Sequence, residues 1–327
     1  MKRIISVLLL ISLCSLLGAC APTAPQYRES TFFAMDTVFT LRIYGEEEGV
    51  ETHFANVRAI LGEVEDALSK TRSESDVSRI NRERSAGDLS PHTVAVLEVA
   101  AEVSSLTDGA YLPTMGAVTQ LWQEAGEADT LPNEEALAFA LREARLGFEL
   151  KDGACTLLGE GALLDLGGIG KGYAADCVLT YLREAAVQGA LLSFGSSVAT
   201  VGEKGNGEPF TVGLRHPRKN DATVGTLTAP QGVLSVSGDY ERYVTVGGVQ
   251  YHHVLDPQSG YPTDNGVASV AVLCESGAYS DALSTAFMVM GRERATALLA
   301  SGRVRAEVVF VSPDGTVYST TDSFSAK

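Results

Sequence analysis

The spacing of apolar residues changes several times along the chain. Residues 33–44 carry Phe39, Leu41 and Ile43 at alternate positions between polar residues, which predicts a half-buried β-strand. The segment that follows has helical spacing instead. It predicts an amphipathic helix whose buried face is formed by Val50, Phe54, Val57, Leu61, Val64 and Leu68.

Three further helices are indicated by their end signals and periodicity. Ser90 followed by Pro91 is typical of a helix N-terminus, and we expect this helix to run to Gly109. Residues 134–145 predict another helix. The third follows a glycine-rich segment and ends at Gly189, and its apolar face is formed by Ala174, Cys177, Val178, Tyr181, Leu182 and Ala185.

The second half of the chain is richer in predicted strands. One hairpin, residues 243–254, turns at Gly247-Gly248, and a terminal hairpin, residues 307–319, turns at Pro313-Asp314-Gly315. Strands and helices come in mixed order, without a steady βαβ alternation, so the sequence predicts an α+β fold. The remaining predicted strands are residues 161–164, 190–194, 210–214, 232–236 and 268–273.

The N-terminus has the pattern of a secretory signal. Lys2 and Arg3 precede an apolar run, residues 4–17, that is too short to span a bilayer comfortably. The run ends in Leu17-Gly18-Ala19-Cys20, which resembles a bacterial lipobox, whose cysteine takes a diacylglyceryl group with acyl chains such as palmitate. A plain cleaved signal with a chance cysteine is the alternative.

These signals divide the chain into three parts. Residues 1–20 form the predicted lipoprotein signal, which ends at the lipidated Cys20, and residues 21–30 form a short proline-containing tether. Residues 31–327 then form the folded domain. We therefore expect an anchored protein on the extracytoplasmic side of the cell membrane, with the lipid bilayer as a partner.

The charge balance limits the class of partner. The chain has 41 acidic against 25 basic residues, which argues against nucleic acid as a general partner. A dinucleotide would need a metal ion or backbone amides to offset the repulsion. Three cysteines follow Cys20, namely Cys155, Cys177 and Cys274, and their number and spacing favour neither a disulfide framework nor a zinc site.

The segment 165–173 contains four glycines and one lysine ahead of a predicted helix. Glycines allow a backbone to approach a ligand closely, and a helix N-terminus favours anions. The spacing fits neither the GxGxxG dinucleotide fingerprint nor a P-loop. The purely structural alternative is a tight turn between a strand and a helix, with a solvated lysine.

Two of the five histidines, His252 and His253, stand together at the end of a predicted strand. Because adjacent strand residues face opposite sides, we expect only one of them to point into a site. A neutral imidazole there could act as a general base or contact a phosphate. The alternative is an incidental pair of histidines.

A polar stripe interrupts the predicted helix that opens at Ser280. Asp281, Ser284 and Thr285 share one face of a segment that is otherwise apolar through Met290. A hard cation bound by a carboxylate and a hydroxyl would satisfy such a buried stripe. In the alternative, the charge of Asp281 only interacts favourably with the helix dipole, and the Thr285 hydroxyl donates to a carbonyl of its own helix.

Taken together, these segments resemble the ApbE family of FAD:protein FMN transferases. The resemblance implies an ApbE-like, T-fold-like α+β domain in which mixed and antiparallel sheets pack with helices. It also implies transfer of FMN from FAD to a threonine or serine hydroxyl of an acceptor protein, with AMP released. The matching strings, in one order over nearly the whole mature chain, are residues 34–37, 75–81, 109–114, 165–176, 237–243, 252–262 and 281–285.

The resemblance also implies roles for individual residues. His253 would assist proton transfer from the acceptor hydroxyl. Asp281 is expected to serve both in catalysis and in metal binding. Mg²⁺ would be held by the Gly168 carbonyl and the side chains of Asp281 and Thr285. The FAD site would be lined by Met35, Ala110, Tyr111, Leu112, Asp165, Lys171 and Leu255.

Three positions depart from the family pattern. Leu112 stands at the aspartate of the family's Phe-Asp-Pro-Thr string, and Thr71 stands where many members carry an aromatic residue over the flavin. Gly195-Ser196-Ser197 replaces the usual Gly-Gly-Asn. None of these positions is a proposed metal ligand.

Two other functions are compatible with the same residues. A magnesium-dependent FAD pyrophosphatase would use water in place of the acceptor hydroxyl and release FMN and AMP. A flavin-binding lipoprotein would only capture the ligand, but it would have no need for a metal at the pyrophosphate. The family's acceptors carry a short motif with serine or threonine and commonly belong to membrane or extracellular electron-transfer systems.

Overall fold

The first predicted strand is part of a β-hairpin in the computed structural model, which describes residues 26–45, 48–229 and 231–327. Strand β1 (Tyr27–Ala34) pairs antiparallel with β2 (Thr37–Tyr44) across a turn at Met35 and Asp36, both at positive φ (52° and 55°). The prediction of one strand over residues 33–44 is therefore wrong at Met35 and Asp36, where the turn divides it into two strands, and it is confirmed from Thr37 to Tyr44. Strand β1 begins four residues before position 31, inside the predicted tether, and residues 1–25 lie outside the described part.

The predicted helices are present, with shifted ends. The first spans 50–68 as expected, and the Ser90 hydroxyl caps the helix that begins at Pro91. That helix ends at Leu106 rather than Gly109, and the helix after the glycine-rich segment ends five residues before Gly189. The bounds are α1 (Val50–Leu68), α2 (Asp76–Glu83), α3 (Pro91–Leu106), α4 (Gly116–Ala128), α5 (Glu134–Ala144), α6 (Gly170–Glu184) and α7 (Gly277–Ala300).

The remaining strands confirm the α+β fold. Residues 161–164 are not a strand and contribute only a single bridge between Leu163 and Met115. The further strands are β3 (Ser85–Ala86), β4 (Phe148–Lys151), β5 (Ala154–Leu157), β6 (Gly189–Phe194), β7 (Ser197–Gly202), β8 (Phe210–Arg215), β9 (Thr223–Ala229), β10 (Gly232–Gly238), β11 (Tyr243–Val246), β12 (Val249–His252), β13 (Ser269–Cys274), β14 (Glu307–Val311), β15 (Val317–Ser319) and β16 (Phe324–Ala326).

One large antiparallel sheet organises the molecule. Its eight strands lie in the order β1-β2-β6-β7-β10-β13-β14-β15. Alternate residues of β13 point to opposite faces, so Val270 and Val272 join the core beneath α6 and α7. Ala271 and Leu273 face the smaller sheet β16-β9-β8. The central strands are therefore buried on both sides.

Helices α6 and α7 cross at two glycines. A Cβ added at Gly172 would lie 2.0 Å from the Gly277 carbonyl oxygen, and one added at Gly277 would lie 2.2 Å from that of Gly172. Two carboxylates fasten the crossing. Asp176 of α6 accepts from the amides of Gly277 (2.5 Å) and Ala278 (3.0 Å) in the first turn of α7.

The second carboxylate makes the reciprocal hydrogen bond, from α7 to the start of α6. Asp281 of α7 accepts from the Gly172 amide of α6 at 3.1 Å, so each helix caps the start of the other. Helix α7 begins at Gly277 with Ser276 as its N-cap, three residues before the predicted start at Ser280. The crossing thus fixes where the polar stripe of α7 meets the glycine-rich segment.

Helix α7 is divided by a kink at Gly291, whose φ is 73°. The amide of Asn265 occupies the break: its Nδ2 donates to the carbonyls of Met288 (2.8 Å) and Val289 (3.2 Å). The same nitrogen donates to the Thr263 hydroxyl at 3.0 Å. Glycine at 291 permits the left-handed backbone, and Asn265 satisfies the carbonyls that the kink frees.

A smaller core lies beside the main one. Trp122 of α4 packs against Tyr251 of β12 and against Tyr261, with ring centroids 4.9 and 5.2 Å apart, and its indole donates to the Gly260 carbonyl at 2.7 Å. Helix α5 completes this cluster. The three cysteines after Cys20 are free thiols, as expected.

The glycine crossing predicts a large effect from one methyl group. Gly172→Ala should lower the free energy of unfolding by about 1–3 kcal/mol, because the new Cβ meets backbone that cannot move aside. Urea unfolding followed by circular dichroism measures the change. The matched control is Gly62→Ala in α1, where a Cβ meets nothing within 4 Å, and it should stabilise by up to about 1 kcal/mol. Equal stability of the two variants would contradict the account.

Candidate active site

A cleft lies between the main core and the smaller core. Its volume is about 510 Å³, within the usual range for small-molecule sites. The β1–β2 turn, the end of α1, the glycine-rich segment, the end of β12 and α7 all contribute to its walls. The structure brings together here the residues expected for FAD, metal and proton transfer: Met35, Ala110, Tyr111, Leu112, Asp165, Gly168, Lys171, His253, Leu255, Asp281 and Thr285.

The glycine-rich segment forms one end of the cleft. Asp165 accepts from the Gly167 amide at 2.9 Å, which turns the backbone before α6 begins at Gly170. A Cβ at Gly170 would lie 3.1 Å from the Met35 methyl carbon, so the hairpin turn packs directly on the start of the helix. The amides of Gly170 and Gly172 are bonded within the protein, to the Leu166 carbonyl (2.8 Å) and to Asp281 (3.1 Å), so it is the positive end of the helix dipole that favours an anion here.

Asp281 is the buried carboxylate of the cleft, with 8% of its side chain exposed. Its Oδ2 accepts from the Gly172 amide at 3.1 Å and lies 3.4 Å from the ammonium of Lys171. Lys171 also donates to the Gly167 carbonyl at 2.7 Å. The lysine therefore supplies a positive charge beside this carboxylate.

Gly168 and Thr285 meet next to Asp281. A Cβ at Gly168 would lie 3.3 Å from the Thr285 hydroxyl oxygen, which leaves space that only glycine keeps open. Thr285 makes a long contact of 3.4 Å to the Asp281 carbonyl of its own helix. Ser284, the third residue of the stripe, instead lies 2.7 Å from the hydroxyl of Ser237 and is buried outside the cleft lining.

Tyr111 lies against the same corner. A Cβ at Gly168 would be 3.4 Å from Cε2 of its ring. Burial raises the pKa of the Tyr111 hydroxyl well above its usual value, and the nearby negative charges of Asp281 and Asp165 raise it further. The hydroxyl therefore stays protonated throughout the physiological pH range.

The two histidines have different surroundings, although both line the cleft. We expected only one to face the site, but β12 ends at His252, so strand alternation no longer applies to His253. Both ring nitrogens of His252 are used: Nε2 donates to the Thr263 carbonyl at 2.9 Å, and Nδ1 accepts from the Val254 amide at 3.3 Å. His252 is thus held as a structural residue.

His253 has one free nitrogen. Its Nδ1 lies 3.1 Å from the carbonyl of Arg242, and since a carbonyl only accepts, Nδ1 carries the proton. Among the described residues nothing bonds Nε2, which keeps its lone pair. Part of the ring is open to the cleft, yet the surrounding protein removes hydration and lowers the pKa of His253 to about 4. The ring is therefore a neutral base at pH 7.

Several cleft residues were not expected from the sequence. Lys70 pairs with Asp165 at 2.7 Å, so one of the expected FAD contacts is already neutralised. Glu65 accepts from the Met35 amide at 3.0 Å and holds the hairpin turn against α1. These partners are 95 and 30 positions apart. No local periodicity connects such residues, so single-sequence reasoning had no signal for them.

The three departures from the family pattern all border this cleft. Leu112 is half-buried and packs on the smaller core, and Thr71 is exposed beside Lys70. Ser196 donates to the Val236 carbonyl at 2.7 Å, which ties the β6–β7 turn to β10. The described residues contain no group of three His, Cys, Asp or Glu side chains placed to hold a metal ion.

Comparison with known proteins agrees with this geometry. Residues 35–310 match the model of the ApbE family. The chain belongs to the ApbE family. An FAD:protein FMN transferase of Vibrio cholerae is 30% identical over 319 residues, covering 94% of either chain. One from Klebsiella pneumoniae is 32% identical over 287 residues, covering 85% of this chain and 87% of the relative.

Solved ApbE structures share the fold. The ApbE protein from Thermotoga maritima superposes with a TM-score of 0.81 at 30% identity, covering 90% of this chain and 97% of that one. The flavin transferase ApbE from Vibrio cholerae gives 0.79 at 25% identity, covering 91% and 98%. The ApbE-like α+β fold is therefore confirmed, and by family this chain is a transferase.

The environment of His253 predicts an unusual titration. The ring should stay neutral until the pH falls towards 4, whereas the unfolded chain takes up this proton near 6.5. Proton uptake by His253 in the unfolded chain therefore lowers the free energy of unfolding as the pH falls below about 6.5. Above pH 6.5 the residue has no such effect. NMR of histidine-labelled protein measures the midpoint, with His253→Gln assigning the signal and the urea-unfolded chain as control. A midpoint at or above 6.5 in the folded protein would refute the proposed environment.

Proposed function

We propose that this chain is a magnesium-dependent FAD:protein FMN transferase that places FMN on a threonine or serine hydroxyl of an acceptor protein and releases AMP. One observation carries the proposal. In a chain of the ApbE family, a buried carboxylate, a helix N-terminus and a neutral imidazole with a free lone pair border the same cleft. These are the groups that phosphoryl transfer to a hydroxyl requires.

The residues at the Asp281 corner fit Mg²⁺. The Asp281 carboxylate, the Gly168 carbonyl and the Thr285 hydroxyl are oxygen donors, which magnesium prefers. The Lys171 ammonium lies 3.4 Å from Asp281, so this carboxylate already attracts a positive charge. A single carboxylate is sufficient, because protein magnesium sites often use one or two carboxylates together with substrate phosphates and water. When bound, Mg²⁺ would neutralise charge on the pyrophosphate.

The chain's own residues supply the other steps. His253 Nε2 takes the proton from the acceptor hydroxyl, whose oxygen forms a bond to the FMN phosphorus. The bond between that phosphorus and the bridging oxygen breaks, and AMP leaves with the oxygen. The ammonium of Lys171 and the positive end of the α6 dipole offset the negative charge of the pyrophosphate in this acidic protein.

Hydrolysis of FAD is the alternative reaction at the same site. The His253 ring is open to the cleft, so water can reach Nε2 when no acceptor is present. The products separate the two reactions, because hydrolysis gives free FMN with AMP, whereas transfer leaves FMN on protein. We infer transfer as the main reaction, since the family relatives carry that name.

The test is a transfer assay with FAD, Mg²⁺ and a candidate acceptor, followed by in-gel flavin fluorescence and intact mass. Asp281→Ala should reduce transfer below detection, because it removes the only carboxylate assigned to the metal. Thr285→Ala should be milder and partly rescued by added magnesium through mass action. Asp322→Ala, at an exposed position away from the cleft, is the matched control. Near-normal, EDTA-sensitive transfer by Asp281→Ala would place the cation elsewhere.

We also propose that the protein is anchored by lipid on Cys20 and faces the extracytoplasmic side, where its acceptor would be a membrane or extracellular electron-transfer protein. The lipobox-like string supports this, and Cys20 lies outside the described residues. Within the described part of the chain, no helix is long and apolar enough to cross a membrane.

The anchor can be tested by fractionation. Cys20→Ala should move the protein out of the membrane fraction or leave the signal uncleaved, because the acyl chains have no other attachment residue. Transfer by the purified variant should equal that of the wild type. A signal-cleaved Cys20→Ala protein that stays in the membrane fraction would reject the lipid anchor.

A further inference from the structure

The hydroxyl of Tyr111 is a buried donor without a partner. The residue is 4% exposed, its oxygen is closed off from solvent, and no described group bonds it. Buried hydroxyls are normally hydrogen-bonded, and an unpaired one destabilises the protein that contains it. Ser235 is the other buried side chain in this condition within the described residues, and it does not line the cleft.

The position of this hydroxyl points to a ligand. Tyr111 borders the cleft where Gly168, Asp281 and Thr285 meet, which is the corner assigned above to the metal and the pyrophosphate. Asp281 and Asp165 are the charged groups that influence the phenol. Neither carboxylate accepts from it in the ligand-free protein, so the nearby acceptors of the chain itself leave it unsatisfied.

The unbonded hydroxyl has an energetic disadvantage in this buried position unless a ligand-bound state uses it.

We propose that the Tyr111 hydroxyl donates a hydrogen bond to a pyrophosphate oxygen of the bound dinucleotide, a contact that forms only when the ligand enters. This inference rests on the proposed function, which places the pyrophosphate at this corner. Lys171 lies at this corner, where its ammonium donates to the Gly167 carbonyl and to Asp281. An incoming phosphate attracts the ammonium away from both and gives the hydroxyl its acceptor.

Tyr111→Phe tests the inference with two measurements of opposite sign. Without ligand, the thermal midpoint of the full chain should stay equal or rise, because an unpaired buried hydroxyl is removed. In calorimetric titrations with Mg²⁺, FAD and ADP should bind roughly 10-fold more weakly, the scale of a lost hydrogen bond to a charged group. Riboflavin, which has no phosphate, should bind the variant and the wild type equally.

Tyr181→Phe is the matched control. The Tyr181 hydroxyl bonds His53 and Asn56, both at 2.8 Å, and lies outside the cleft, so this variant should lose stability and keep its FAD affinity. Unchanged FAD and ADP affinity in Tyr111→Phe would overturn the inference. So would a lowered midpoint, since that means the hydroxyl is bonded within the protein. Wild-type protein that binds ADP but not FAD would instead reject the proposed function, and the ADP titration would still decide the hydroxyl contact.

Discussion

The contact between the backbones of Gly172 and Gly277 determines where everything else in the cleft lies. Two helices approach this closely only when neither has a side chain at the crossing, and both positions are glycine. The reciprocal caps then remove the remaining freedom, because Asp176 holds the start of α7 while Asp281 holds the start of α6. Helix packing and site geometry therefore depend on the same few atoms.

This arrangement gives Asp281 two tasks. Its Oδ2 fastens the helix crossing through the Gly172 amide, whereas no described group bonds Oδ1. A carboxylate held by one oxygen is oriented before any ligand arrives, and a preorganised ligand group loses less entropy on binding. The Lys171 ammonium balances the charge of this carboxylate.

Much of the fold follows from local patterns, whereas the exceptions depend on distant partners. The Gly247-Gly248 turn and the Ser90 cap were predictable because the residues that cause them lie within the turns they form. The β1–β2 turn was missed because Met35 is not a usual residue at positive φ, and Asp36 alone is a weak turn signal. That turn is held by Glu65, which no local rule connects to it.

The site shows the same division between local and distant information. The ordered strings of the family resemblance grouped eleven residues that the structure places around one cleft. Sequence alone predicted that His252 and His253 would differ, but for the wrong reason, since the strand ends between them. Their difference comes from the carbonyls of Thr263 and Arg242, which only the folded chain brings to the rings.

The amide of Asn265 joins two walls of the cleft. It bonds the end of the first segment of α7, which carries Asp281, and also Thr263, whose carbonyl holds His252 next to His253. One side chain therefore connects the helix that carries Asp281 with the loop that carries the histidines. Loss of this amide would remove support from both walls at once, although Asn265 itself does not line the cleft.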